Sequence, residues 1–70
     1  MKPRDKYQHF KGTLYEIVLI SKDSETQEEL VTYRQADNPE KIWTRSKAMF
    51  LEEVDKPEYN YRGPRFKFIT

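Results

Sequence analysis

The only histidine of the chain, His9, is the first residue to weigh for chemistry. It stands in the segment Tyr7-Gln8-His9-Phe10-Lys11-Gly12. As a general acid or base it would work beside Arg45 or Arg65 holding an anion, and would need a cleft and a perturbed titration. The hydroxyl candidates, Ser21, Ser24, Ser46 and the threonines, stand in no elbow or triad setting. With no Cys and no second His, His9 lacks the donors of a zinc site. Glu25, Glu28 and Glu29 gather near one turn, but calcium takes more oxygen ligands at fixed spacing, so these read as a solvated turn. No metal and no cofactor is expected. A short chain also offers little concave volume against the roughly 300–1,000 Å³ of ordinary ligand pockets. The expectation is a non-enzymatic protein in which His9 is a hydrogen-bonded residue at the entry to a strand.

Recognition is the stronger theme. Trp43 and Arg45 are two apart and share one face of a strand, where a guanidinium can stack beside an indole. Trp43 as core, and Arg45 and Arg65 paired with glutamates of neighbouring strands, are the structural alternatives. The overall charge of +1 hides an uneven distribution. Met1–Lys11 and Tyr59–Thr70 each carry +3, which leaves −5 for the stretch between them. Tyr7, Phe10, Tyr59, Tyr61, Phe66 and Phe68, six of the ten aromatic residues, lie in those basic ends. Cations track phosphates and rings stack on bases, so single-stranded nucleic acid is a candidate ligand for them. A solvated surface that keeps edge strands from pairing is the alternative.

The elements follow from the apolar pattern. Seventy residues allow one domain, spanning 1–70, with 1–6 expected to be flexible. Leu14–Ile20 is β-branched and aromatic, with Leu14, Val18 and Ile20 on one face and Tyr15, Ile17 and Leu19 on the other. A long central strand that bends and serves two sides of a small barrel fits that pattern. Asp23–Gln27 is a hairpin loop, Glu29–Gln35 the second strand and Ala36–Glu40 a turn. Lys41–Arg45 is a third strand, after which Ser46 can cap one helical turn. Phe50–Val54 is a fourth strand, with a helix over Ser46–Val54 as the competing reading. Tyr59–Pro64 is a loop, and Arg65–Ile69 closes the chain as the fifth strand. The sum is an all-β, small five-stranded SH3-like barrel with one short helical turn; an OB-like barrel is second. No apolar run reaches the roughly 20 residues of a membrane-spanning helix, and no signal-peptide core follows Lys2.

The same residues resemble a known family. Tyr7-x-His9-Phe10-Lys11-Gly12-x-x-Tyr15, Ser24-Glu25-Thr26-x-Glu28, Val31-x-Tyr33, Trp43-x-Arg45, Met49-Phe50 and Pro64-Arg65-Phe66 are similar, in that order, to the domain of unknown function 1653. The likeness runs from Tyr7 to Phe68. Ser46 stands where the family usually has Pro, and Glu58-Tyr59-Asn60-Tyr61 lengthens the last loop. The resemblance implies a bacterial, cytoplasmic, stand-alone domain with an SH3-like barrel, and no assigned activity. It draws attention to Glu25 and Glu28 as well as to His9, Lys11, Tyr15, Trp43, Arg45 and Arg65.

The functional expectation is a binding module for a protein, a peptide or a small ligand. Its surface would be built from His9, Lys11, Tyr15, Trp43, Arg45 and Arg65. Single-stranded nucleic acid bound by the two basic ends is the alternative; a monomer is expected, with no membrane partner.

Overall fold

A computed structural model describes every residue, Met1–Thr70. The central apolar stretch forms β2 (Leu14–Lys22), and β3 (Glu29–Gln35) folds back antiparallel on it. Asp23 closes the turn between them, its Oδ1 accepting the backbone N–H groups of Glu25 and Thr26 at 2.9 and 3.0 Å. Those two donors, Thr26 first, hold the Asp23 carboxyl below its ordinary range. The strand β4 (Asn38–Ser46) pairs with β3, and β1 (Lys6–His9) lies between β2 and β7 (Phe66–Phe68). The five-stranded sheet has the order β4-β3-β2-β1-β7 and is antiparallel throughout. A five-residue helix, α1 (Lys47–Leu51), leads to a separate hairpin of β5 (Glu53–Lys56) and β6 (Tyr61–Pro64).

The sheet curls around its aromatic face. Phe66 and Tyr33 sit on strands three places apart, about 14 Å on a flat sheet. Their ring centroids are nevertheless only 5.5 Å apart. Phe50 of α1 fills the hollow of the curl and is fully buried. It stacks on Phe66 at 4.1 Å and meets Tyr7 and Tyr33 edge-on at 5.1 and 5.3 Å. Ile17 and Val31 complete the core. The all-β class, the five-stranded sheet and the single short helix are as the sequence predicts. Closure is the difference: the ladder runs from β4 to β7 and does not return, so the barrel stays open.

The apolar character of both faces of β2 has a local cause. The pairing slips between Ile17 and Leu19, so Val18 is an extra residue, a β-bulge. Ile17 opposes Tyr33 and Ile20 opposes Val31, all packed on the core side. Strict alternation would have separated Ile17 from Ile20; the bulge brings both inward, and it is the bend expected of this strand.

The fourth predicted strand, Phe50–Val54, is instead the end of α1 followed by β5. Ser46 caps the helix as expected, its Oγ accepting from Met49 N–H at 3.1 Å. Its φ of −62° is one that Pro also adopts. Tyr61–Pro64, expected as loop, is β6, and Lys6–His9 is a strand that lacks an apolar pattern. Within the first six residues, Arg4 and Asp5 bond to β2, and Lys6 begins β1. Arg4 N–H donates to Ile17 C=O at 2.9 Å, Lys6 N–H to Thr70 C=O at 2.8 Å, and Asp5 is buried.

The convex face of the sheet carries ion pairs and hydrogen bonds interspersed with exposed apolar residues, Leu14, Leu19 and Ile42. Arg34 Nε and a terminal nitrogen donate to Glu16 Oε1 at 2.9 and 2.7 Å, with Lys6 Nζ 3.7 Å from Glu16 Oε2. Thr32 and Thr44 hydroxyls share a 3.0 Å hydrogen bond across β3 and β4. The concave face holds most of the residues singled out from the sequence.

Candidate functional site

The register sets the concave face. Tyr33 opposes Trp43, and Val31 opposes Arg45, so the inward rows of β3 continue onto edge strand β4 as Trp43 and Arg45. On the other side His9 opposes Phe66 across β1 and β7. Tyr15 lies between, with ring centroids 6.4 Å from His9, 5.7 Å from Trp43 and 5.6 Å from Phe66. The result is a continuous aromatic floor from Phe66 to Trp43. Helix α1 covers the Phe50 end of that floor, and Trp43 remains 41% exposed. Trp43 is thus surface rather than core, stacked at 28° on Tyr33.

A cavity of about 280 Å³ opens beside this floor. His9, Lys11, Arg45 and Arg65 line it, joined by Lys56 and Glu58 from the β5–β6 hairpin. Arg45 Nε donates to the Tyr33 hydroxyl at 3.1 Å, which aligns the guanidinium and leaves its terminal nitrogens free of protein partners. Arg65 is held by Glu52, as the pairing with a nearby glutamate suggested, while its Nε is buried without a partner. Lys11 Nζ stands 5.1 Å over the Tyr59 ring. The four ion pairs of the molecule involve Lys6, Arg34, Lys47 and Arg65; Lys11, Arg45 and Lys56 form none, and Glu58 is the one carboxylate that lines the cavity with them.

His9 is fixed by the turn that follows it. The Lys11 backbone N–H donates to His9 Nδ1 at 3.1 Å, and Gly12 N–H closes on His9 C=O at 2.8 Å. Gly12 has φ +106°, a conformation that favours glycine. Burial, then the charges of Lys11, Arg65 and Arg45, lower the His9 pKa. The imidazole is therefore neutral near pH 7. Its one lone pair, on Nδ1, is occupied by the Lys11 N–H, which assigns the proton to Nε2. In that state His9 is a hydrogen-bond donor and has no free basic nitrogen. The cleft and the perturbed titration that an acid–base role requires are both present; the free lone pair is not.

Four of the six residues singled out from sequence, His9, Lys11, Arg45 and Arg65, thus share one cavity; Tyr15 packs on His9, and Trp43 on Tyr15. Lys56 and Glu58 were missed: they lie in the hairpin that folds over, and nothing local in Asp55-Lys56-Pro57 marks it as more than a strand break; Tyr59, named among the aromatic residues of the basic ends, joins them. Glu25 and Glu28 lie at the exposed β2–β3 turn, away from the cavity. The basic ends do lie side by side through β1 and β7, but their charges divide between faces. Lys6 and Lys67 flank the buried inward residues of those strands, Lys6 reaching Glu16, while Lys11 and Arg65 line the cavity. No three potential metal-ligating side chains come together.

The fold and the site define a small, open, antiparallel sheet domain with an aromatic and basic concave face. Residues 5–68 match the family described as "Protein of unknown function (DUF1653)", and the chain belongs to it. A crystal structure of a protein belonging to this family, from Bordetella bronchiseptica, is similar, with 29% sequence identity and a TM-score of 0.75. The match covers 99% of this chain and 87% of that one. No curated protein matches the chain significantly. No helix of the molecule is long and apolar enough to cross a membrane.

Proposed function

We propose that the protein is a non-enzymatic binding module whose concave face takes a ligand with a planar apolar part and an anionic group, presented by a small molecule, a peptide or a protein. The observation that carries this reading is the convergence of Lys11, Arg45 and Lys56, none of them in an ion pair and with Glu58 as the one carboxylate, on a cavity whose Arg45 stands two residues along β4 from the exposed Trp43. Charged side chains are most often solvated or paired at a surface. Here several converge on one hollow beside a ring, which suits an anion with a flat neighbour. The occupied lone pair of His9 favours binding over acid–base catalysis. Single-stranded nucleic acid is the second reading, favoured by the pairing of the two basic terminal strands; the division of their charges between faces weakens it.

Benzoate, a ring bearing one carboxylate, is a minimal probe. Titrated into the labelled protein, it is expected to shift the Trp43 indole N–H saturably, whereas uncharged benzyl alcohol is not. Trp43→Ala and Arg45→Gln should each weaken binding about tenfold, the loss expected for one ring contact or one charge-assisted hydrogen bond. Equal weak shifts from both probes, unaffected by either substitution, would remove the concave face from consideration.

A further inference from the structure

We infer that the cavity between β1, β4 and the β5–β6 hairpin is a phosphate site, taking the dianionic phosphate monoester of a small molecule whose ring rests on Trp43. The inference rests on the binding-module reading and specifies the chemistry of its ligand.

Charge is the first ground. Lys11, Arg45 and Lys56 contribute three cations without carboxylate partners, and Glu58 contributes one anion. Arg65 and Glu52 neutralise each other in their own pair. With His9 neutral, the lining has a net charge of +2. A phosphate monoester near pH 7.5 carries close to −2, since its second pKa is about 6. A carboxylate supplies only half of that charge and would leave one cation unmatched.

Donor geometry is the second ground. A phosphate presents three terminal oxygens that accept in several directions, and guanidinium forks suit them. Arg45 enters with its Nε committed to Tyr33 and its terminal nitrogens free. Arg65 adds a buried Nε with no partner, a donor whose burial has a cost unless it is met by an acceptor. Lys11 and Lys56 add ammonium groups, and the Lys11 contact with His9 Nδ1 leaves Nε2–H as a neutral donor. Every polar group of the lining except Glu58 therefore donates, which is the complement of an acceptor-rich, doubly charged ligand.

Size and placement are the third. About 280 Å³ exceeds a phosphate group and leaves room for the atoms that bear it. Tyr15 bridges from His9 at 6.4 Å to Trp43 at 5.7 Å, so an aromatic body can lie on the floor while its phosphate occupies the hollow. A nucleic-acid strand would need a track of cations beyond the cavity, and Lys6 and Lys67 do not continue it on this face.

Phenyl phosphate and benzoate, compared in phosphate-free buffer at pH 7.5 and fixed ionic strength, test this. The readouts are the Nε–H resonances of Arg45 and Arg65 and the Trp43 indole. Phenyl phosphate should bind at least tenfold more tightly than benzoate and move the Arg65 Nε–H. Lys56→Gln should lower that preference several-fold, and Lys56→Arg, which keeps the charge, should restore it. Equal affinities for the two probes would overturn the phosphate assignment and leave the binding module standing. Binding of neither would overturn both.

Discussion

At the scale of single residues, His9 concentrates the electrostatics of the site in one observable. Its folded pKa is lowered by burial and by Lys11, Arg65 and Arg45. The unfolded chain therefore takes up a proton at His9 where the folded one does not. The stability associated with neutral His9 is fully present above its ordinary value of 6.5 and is lost as pH falls below it. Glu16, held low by Arg34 and Lys6, and Asp23 act in a separate window, because their ordinary values are 4.5 and 3.8. Denaturation followed from pH 7.5 to 5 should thus show stability falling with pH. His9→Asn, whose amide oxygen can still accept the Lys11 N–H, should remove most of that slope; a slope unchanged in the variant would mean that His9 titrates normally. The site residues were legible to this depth because their types are scarce: one His, one Trp, and an Arg two residues from that Trp. Lys56 was not legible, because lysine is common and only the folding of the hairpin brings it to the cavity.

At the scale of elements, strands with one buried face declared themselves and the others did not. β3 alternates, with Val31 and Tyr33 inward, and its predicted limits, Glu29–Gln35, are those observed. β1 has the sequence KYQH with a single buried apolar residue, so no period can show in it. The Val18 bulge was hidden for the opposite reason: Val18 is as apolar as its neighbours, and composition does not reveal which residue of a run is unpaired. Helix α1 and β5 were ambiguous because five and four residues are too few to separate the two periods. The helix matters because it delivers Phe50 to the core, and Ser46 supplies its N-terminal cap. Ser46→Ala should cost about 1 kcal/mol, which for a domain of this size lowers Tm by roughly 4–8 °C. Ser46→Asp, which retains a capping oxygen, should cost much less. An unchanged Tm for Ser46→Ala would show that packing of Phe50 alone holds α1.

At the scale of the whole molecule, an open sheet leaves part of its aromatic face uncovered. One short helix screens the Phe50 and Phe66 region and one hairpin forms a wall of the cavity, while Trp43 stays exposed. A closed barrel would have turned the same rings inward; the sequence did not distinguish the two, because closure depends on whether β4 and β7 meet. The openness is what leaves aromatic surface exposed on so small a chain, in which eight residues of seventy are buried. The convex face, by contrast, is occupied with its own ion pairs and hydrogen bonds.

The central claim, that the concave face is the binding face, is tested most directly by mapping amide shifts with benzoate and, separately, with a mixed-sequence single-stranded DNA at low and at physiological salt. Saturable benzoate shifts are expected at His9, Lys11, Tyr15, Trp43, Arg45 and Arg65, with only weak, salt-sensitive DNA shifts. Shifts from DNA along Met1–Lys11 and Arg62–Phe68 that persist at physiological salt, with the concave residues silent to benzoate, would contradict it.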